Sequence, residues 1–437
     1  MNIILLSGGS GKRLWPLSNE IRSKQFLKLF KNEKGEHESM VQRVYRQLRT
    51  VDRDCTVTIA TSKKQVSSIH NQLDERVGIS VEPCRRDTFP AIVLTTAYLH
   101  DVQKVNENET VVVLPVDPYV QNEYFYMLKR LGEQAATGEA NIVLMGIEPT
   151  YPSEKYGYII PTDTSEVSGV KMFKEKPDQK TAKDYIANGA LWNGGVFAYK
   201  IGYLLDTAEK LLGTSKYAEL FSNYDNLPQI SFDYAVVEKE EKIQVMRFSG
   251  EWIDLGSWNT LTDTMSENII GDAIEDDVCE NVHIINELDV PILAMGLKNV
   301  VISASPDGIL VSDKDQSGYM KKYVEHMNRK AMFAEKSWGA FKVIDTSSNS
   351  MTIKVTIKAG DSMNYHSHEH RDEVWVIVSG EGRTIIDGME QKVHTGDVVT
   401  MKAGCRHTIF AETALEIIEV QLGKEININD KQKFPLE

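Results

Sequence analysis

Cysteine is scarce in this chain: Cys55, Cys84, Cys279 and Cys405 are the only four in 437 residues, with no paired spacing. That pattern suggests neither a disulfide framework nor a cysteine zinc site, and it fits a reducing cytoplasm. No apolar run approaches the length of a membrane span. The Ile3–Leu6 run is short and leads into glycines rather than a cleavage site, so no signal peptide is expected. Positive charge is in deficit, with 49 Lys and Arg against 63 Asp and Glu and a formal net charge of −14. This balance argues against a general nucleic-acid or membrane surface, and anionic substrates then need local cations or a divalent metal. Internal repeats and low-complexity tracts are also lacking. What remains is a globular composition, 41% hydrophobic and 26% charged. The chain is too long for one ordinary core, so two or three domains are expected.

The most informative stretch is the opening, MNIILLSGGSGKRLWPLSNEIRSKQFL. An apolar strand runs into Gly8-Gly9-Ser10-Gly11, and Lys12 and Arg13 follow at once. Such a turn presents successive N–H groups to phosphate oxygens. Arg13 can add a bidentate grip and Lys24 a compact charge for a second phosphate. A P-loop is excluded because Arg13, not Ser or Thr, follows Lys12. The dinucleotide fingerprint is excluded because Leu14 stands where a third small residue is needed.

Short apolar runs alternate with helical patterns over the first two-thirds. Strands are expected at Asn2–Leu6, Thr56–Ala60, Thr110–Leu114 and Ile142–Gly146, with helices near Glu38–Leu48, Lys64–Leu73, Ala91–Lys104 and Glu123–Ala136. This alternation implies βαβ units and a largely parallel sheet, with ligands beyond the carboxyl ends of its strands. Near Gly271 the pattern changes to short strands at close spacing (Val282–Ile285, Val290–Met295, Val300–Ser303, Gly308–Val311), a small β appendage resembling a few turns of β-helix. Tyr319–Phe333 reads as a connecting helix, and from Trp338 onward all signals are those of a small antiparallel barrel. The expected domains are 1–270, 271–318, a linker helix at 319–335, and 336–437.

The extended signature Gly8-Gly9-Ser10-Gly11-Lys12-Arg13, with Arg-Leu-Trp-Pro-Leu-Ser and Lys-Gln-Phe-Leu, resembles that of sugar-1-phosphate nucleotidyltransferases, and within them mannose-1-phosphate guanylyltransferases. The resemblance covers residues 1 to about 330. It implies an α/β nucleotidyltransferase fold with a Rossmann-like mixed sheet. It also implies Mg²⁺ on Asp117, at the end of the Val111–Asp117 run, and on Asp254 in Trp252–Trp258. By the same likeness Gly8, Gly9, Gly11, Lys12, Arg13, Lys24 and Arg86 serve the nucleotide. Gly157, Glu175, Lys176 and Asn193, in Tyr156–Ile159, Phe173–Pro177 and Trp192–Gly195, serve the sugar phosphate, and Phe232–Lys239 follows in the family's order. The chain departs from the family at Ser23 (usually Pro), Pro118 (usually His) and Arg86–Pro90 (usually Arg-Asn-Thr-Ala-Pro). Positioning and charge stabilisation carry such a transfer. Arg13, Lys24 and Asp117 are the candidate catalytic residues.

Half of the ten histidines fall between His366 and His407. Residues two apart on a strand share a face, so His366 and His368 can point together into a barrel, with Glu373 and His407 completing a three-His, one-carboxylate set. This is the cupin metal pattern, with Lys402 and Ala411 standing where Pro and Asn are usual; His370 reads as a loop residue. Zn²⁺, Fe²⁺, Mn²⁺ and Ni²⁺ all suit these donors. A cupin in this position resembles type II phosphomannose isomerases, and Lys336–Gly339 and Arg371-x-Glu373-x-Trp375 fit. Three isomerase residues are replaced, however: Gln by His366, His by Val374, and Arg by Thr408. Residual or altered isomerase activity, or a sugar- or metal-binding module, are the alternatives for this domain.

The expected protein is a cytoplasmic, Mg²⁺-dependent homodimer that makes GDP-mannose from GTP and mannose 1-phosphate for polysaccharide synthesis, touching neither nucleic acid nor membrane. A different sugar or base, or a sensor that has lost catalysis, are the competing readings.

Overall fold

The run Ile3-Ile4-Leu5 is wholly buried, as is Val111–Val113. Continuous apolar runs of this kind suit strands covered on both faces. In the computed structural model they lie side by side in a nine-stranded sheet. Its order is Gly78–Glu82, Thr56–Ser62, Asn2–Leu6, Thr110–Pro115, Leu191–Lys200, Ile142–Ile147, Ile243–Phe248, Val167–Lys174 and Tyr158–Pro161. The structure describes the chain except residues 9–11, 20, 328–330, 425, 427–429 and 437 and the side chain of Lys12.

The first four strands are parallel. Leu191–Lys200 runs antiparallel to both neighbours, while Ile243–Phe248 is parallel to Ile142–Ile147. The sheet is therefore mixed, not largely parallel. Tyr158–Pro161 and Val167–Lys174 are joined without a crossover helix, and so short a link permits only antiparallel pairing. The four expected helices are Met40–Val51, Val66–Gln72, Thr88–Asp101 and Asn122–Thr137. Met40–Val51 opens on a capping box in which the Ser39 hydroxyl accepts from the Gln42 amide and the Gln42 side chain from that of Ser39.

Two local features shape the site end of this sheet. Pro118–Val120 pairs antiparallel with Trp252–Asp254, with Asp254 opposite Pro118. A proline at the first residue of such a ribbon removes no essential ladder donor. On the Leu191–Lys200 strand, Asn193 pairs with Gly146 but Phe197 pairs with Leu144, so extra residues bulge out between them. Gly195, at φ 69°, takes the left-handed conformation that the bulge requires.

By internal contacts the chain divides into two units, Met1–Arg13 with Ser23–Glu267, and Leu14–Arg22 with Asn268–Glu437. In the second unit, parallel rungs pair Ile269–Ile270 with His283–Asn286, His283–Asn286 with Val300–Ser305, and Ala273–Glu275 with Ile292–Ala294. Val282, Ile284, Ala294 and Ile302 form the small core between them. The segment Leu14–Arg22 is fastened here: Arg22 forms a fork with Glu287 at 2.7 and 2.8 Å, and Asn19 Nδ2 donates to Asp307 Oδ2 at 2.6 Å.

Among the described residues the expected connecting helix is reduced to Lys321–Val324. Phe333 is strand instead, because Phe333–Lys336 is captured by pairing with Gly339–Thr346. The remainder is two antiparallel sheets. One runs Phe333–Lys336, Gly339–Thr346, Ser350–Ile357, Leu415–Leu422, Asp372–Ser379, Val398–Met401; the other runs Met389–His394, Glu381–Ile386, His407–Ala411, His366–Ser367, Gln432–Lys433. Their inner faces bury Ile353, Val355, Trp375, Ile377, Ile409 and Ile417. Among the described residues no helix is long and apolar enough to cross a membrane.

Gly146 tests the bulge that carries Asn193. A methyl there would lie 2.5 Å from Leu191 Cδ1 and 2.8 Å from Val245 Cγ2. Gly146→Ala should cost about 1–3 kcal/mol in denaturant unfolding, and an unchanged midpoint would contradict the packing.

Candidate functional site

The carboxyl ends of the parallel strands deliver Gly8, Glu82 and Asp117 to one end of the nine-stranded sheet. Lys24 Nζ lies 2.9 Å from Asp117 Oδ2 and donates to the Leu255 carbonyl at 3.1 Å. The Pro118–Val120 ribbon brings Asp254 alongside. Burial pushes the Asp254 carboxyl up and Asp117 adds to this, while Lys24 and Arg13 oppose it. A Cβ built on Gly256 would sit 3.2 Å from Asp254 Oδ2 and 3.5 Å from Arg13 Nη1, so Arg13 joins the same group. Two neighbouring carboxylates with hard oxygen donors suit a divalent metal. Gly9, Gly11 and the side chain of Lys12 lie outside the described residues.

The sugar-pocket candidates are also brought together. A Cβ on Gly157 would fall 2.6 Å from Glu175 Oε2, 3.0 Å from Phe173 Cζ and 3.4 Å from Asn193 Cβ. A side chain at position 157 would therefore have to displace the Glu175 carboxylate and the Phe173 ring. Lys176 pairs with Glu175, and that bond raises the lysine above its ordinary range. The Asn193 amide is partly engaged within the protein: Nδ2 donates to Asp233 Oδ1 at 2.7 Å, and Oδ1 accepts from the Gly195 amide at 3.1 Å. One N–H and one lone pair are left for hydroxyls. Tyr156 bridges the two groups, its ring centroid 5.0 Å from that of Trp192 and 5.3 Å from that of Trp252. Among the described residues Trp252 Nε1 is buried without a hydrogen-bond acceptor.

Arg86 is placed differently from Arg13 and Lys24. Its guanidinium caps the Asp225 carbonyl, within electrostatic range of Tyr224. Sequence reasoning missed Glu82, which is buried beside Gly8: a Cβ there would be 3.8 Å from Glu82 Oε1. Tyr224 donates to Glu82 Oε2 at 2.9 Å, and burial pushes the Glu82 carboxyl up. Asp233 was visible in the Phe232–Lys239 piece but carried no role. The bond to Asn193 that gives it one is not a local sequence signal.

In the second unit His366 and His407 face each other as cross-strand partners. The ring nitrogens of His366, His368 and His407 offer one ligand atom each within 4.8 Å of one another. Nδ1 of each ring meets a backbone carbonyl: that of Asn364 at 2.6 Å, of Asp430, and of Cys405 at 3.1 Å. Carbonyls only accept, so each Nδ1 carries a proton, and in a neutral ring Nε2 then keeps its lone pair. Burial pulls the His366 imidazole down to about 2 and that of His368 to about 4, so both are neutral at physiological pH. Glu373 reaches in from the opposite sheet, with Oε1 3.1 Å from His368 Nε2 and Oε2 3.2 Å from His407 Nε2. His407 Nε2 is nevertheless buried outside hydrogen-bonding geometry. Converging lone pairs and a carboxylate are the donor set of a first-row divalent metal. The backbone N–H of His370 donates to Asp430 Oδ2, in a loop. The Thr408 hydroxyl donates to the Met363 carbonyl at 2.6 Å, so position 408 brings no cation.

Asp233 supplies a pH test. Burial pushes it from 3.8 up to about 6, with Glu175 adding to the shift and Asn193 opposing it. The folded chain then holds a proton that the unfolded chain releases. The resulting stabilisation is complete below pH 3.8 and lost as pH rises through 6. Relative to Asp233→Asn, the parent should lose on the order of 1–3 kcal/mol between those limits, measured by urea unfolding across pH. Parallel pH profiles would contradict the assignment.

Comparison with known proteins finds relatives of both parts of the chain. The nucleotidyl transferase family matches residues 2–269, and the family described as mannose-6-phosphate isomerase C-terminal matches residues 322–435. The xanthan biosynthesis protein XanB of Xanthomonas campestris pv. campestris (strain B100) is 30% identical over 99% of this chain and 97% of its own length. Mannose-1-phosphate guanylyltransferase ManC of Salmonella typhimurium is 29% identical, over 99% and 96%. A Thermus thermophilus crystal structure described as a mannose-1-phosphate geranyltransferase superposes with a TM-score of 0.63 at 28% identity, covering 75% of this chain and 99% of that one. The chain belongs to the nucleotidyl transferase family and carries a mannose-6-phosphate isomerase C-terminal domain, and its full-length relatives include proteins named mannose-1-phosphate guanylyltransferase.

Proposed function

We propose that this chain transfers GMP from GTP to mannose 1-phosphate, releasing pyrophosphate, in the cytoplasm. The observation that carries the reading is the convergence of Lys24, Asp117 and Asp254 with the Gly157–Glu175–Asn193 pocket across the Tyr156 and Trp252 rings. A phosphate oxygen of the sugar 1-phosphate forms the new bond to the α-phosphorus. The bond from that phosphorus to the bridging oxygen breaks, and pyrophosphate leaves with the electron pair. The attacking oxygen is already ionised, so no general base is needed. Arg13 and Lys24 hold the triphosphate, Lys176 the sugar phosphate, and Glu175 and Asn193 the hydroxyls. Asp117 and Asp254 hold Mg²⁺, which when bound offsets the charge that phosphates and carboxylates bring together.

Base choice rests on Glu82. Guanine presents N1–H and the N2 amino group side by side, two donors that suit one carboxylate, whereas adenine presents no such pair. Tyr224 orients that carboxylate at the glycine-loop end of the sheet. In the second unit, His366, His368, Glu373 and His407 hold a divalent metal.

Asp117→Ala should lower pyrophosphate release at saturating Mg²⁺ by at least about 100-fold while leaving the thermal transition nearly unchanged. Near-normal turnover would remove the metal assignment. Glu82→Gln places an amide N–H against a guanine donor, and kcat/KM for GTP should fall roughly 10- to 100-fold with little change for ATP. An equal loss with both nucleotides would show that Glu82 does not read the base.

A further inference from the structure

The cupin cavity contains a cation of its own, set among the atoms assigned to a metal. Arg371 Nε donates to Glu373 Oε1 at 2.9 Å, and Arg371 Nη2 lies 3.0 Å from His368 Nε2. With His368 Nδ1 turned to the Asp430 carbonyl, Nε2 is the lone-pair nitrogen of that ring. Arg371 is itself only 9% exposed, and Glu373 2%. We propose that Arg371 is the exchangeable cation of this cavity: a divalent metal enters only as the guanidinium leaves Glu373 Oε1 and His368 Nε2. The proposal rests on the ligand set assigned above.

The physical reasons are those of capacity and charge. An imidazole nitrogen has one lone pair, so it accepts from a guanidinium or coordinates a metal, but not both. Arginine stays protonated in proteins, so it must move and cannot escape by losing its proton. Two cations sharing one carboxylate oxygen in a dry cavity also repel strongly. A second buried carboxyl group lies nearby. Glu419 lies on the inner face of Leu415–Leu422, opposite Trp375, and is within electrostatic range of both Glu373 and Arg371. Without metal, Arg371 is one of the groups that offset the buried Glu373 charge.

The sign of one measurement separates this role from simple orientation. Removing an outer residue that orients a ligand weakens metal binding by roughly 10–100-fold, whereas removing a competitor strengthens it. Co²⁺ is titrated into the full chain and followed by its visible absorption, with excess Mg²⁺ present to occupy the Asp117–Asp254 oxygens. Arg371→Ala should bind Co²⁺ roughly 10- to 100-fold more tightly than the parent. Arg371→Lys should gain less, because an ammonium keeps the charge but loses the two-atom fork. Equal or weaker binding by Arg371→Ala overturns the exchange. His366→Ala should abolish the band, which ties the signal to this cavity. Absence of the band from parent and variant alike removes the metal assignment and the exchange with it. Should Arg371→Ala be unstable without metal, its Co²⁺-induced rise in Tm should exceed that of the parent, and an equal or smaller rise again overturns the proposal.

Discussion

Lys24 Nζ reaches both Asp117 Oδ2 and the Leu255 carbonyl, and this single ammonium ties the segment after the glycine turn to the two segments that carry carboxylates. The constraint behind it is electrostatic. Asp117 and Asp254 approach each other through the pairing of Pro118–Val120 with Trp252–Asp254, and part of their charge is buried. Such an arrangement is tolerable only with cations at hand. In a chain with formal net charge −14, the nearby cations therefore have to be local, and Arg13 and Lys24 supply them from the opening segment. The second unit poses the same problem with different donors, where Arg371 is a cation beside Glu373.

The rest of the first site is built outward from this cluster. Tyr156 precedes Gly157 in sequence and packs against Trp252, two residues before Asp254, so the aromatic contact spaces the sugar pocket from the carboxylates. Gly157 then lets Glu175 and Asn193 close in, and the bulge at Gly195 aims the Asn193 amide at Asp233. Each step depends on backbone shape as much as on a functional group. This explains why glycine and the strand irregularity accompany the polar residues.

The chemistry-bearing residues were legible where they sit on or beside a strand with a plain pattern. Val111–Leu114 announces its strand by an unbroken apolar run, and Asp117 follows it. His366-x-His368 declares a shared face by spacing alone. The mixed sheet was less legible from pattern, because antiparallel and parallel strands carry the same buried apolar residues when both faces are covered. The Tyr319–Phe333 stretch looked helical because its local composition favours helix, yet Phe333 was taken by a ladder with Gly339–Thr346. Glu82 escaped notice because a carboxylate at a strand end is ordinary in sequence. Only burial against Tyr224 beside Gly8 marks it.

The amino-acid sequence by itself determined the local chemistry: a glycine turn with Arg13 and Lys24, carboxylates at the ends of apolar strands, and histidines at strand spacing. These follow from residue type, period and turn propensity, which act over a few neighbours. Tertiary structure alone decided the pairings between distant segments. It set Asp254 opposite Pro118, bound Asp233 to Asn193, capped the Asp225 carbonyl with Arg86, and divided the opening signature so that Arg13 belongs to one unit and Leu14–Arg22 to the other. It also turned Arg371 onto Glu373 and His368. Such contacts arise when buried charges and unsatisfied polar atoms find partners during packing. That search runs over the whole fold, and no local pattern encodes its outcome.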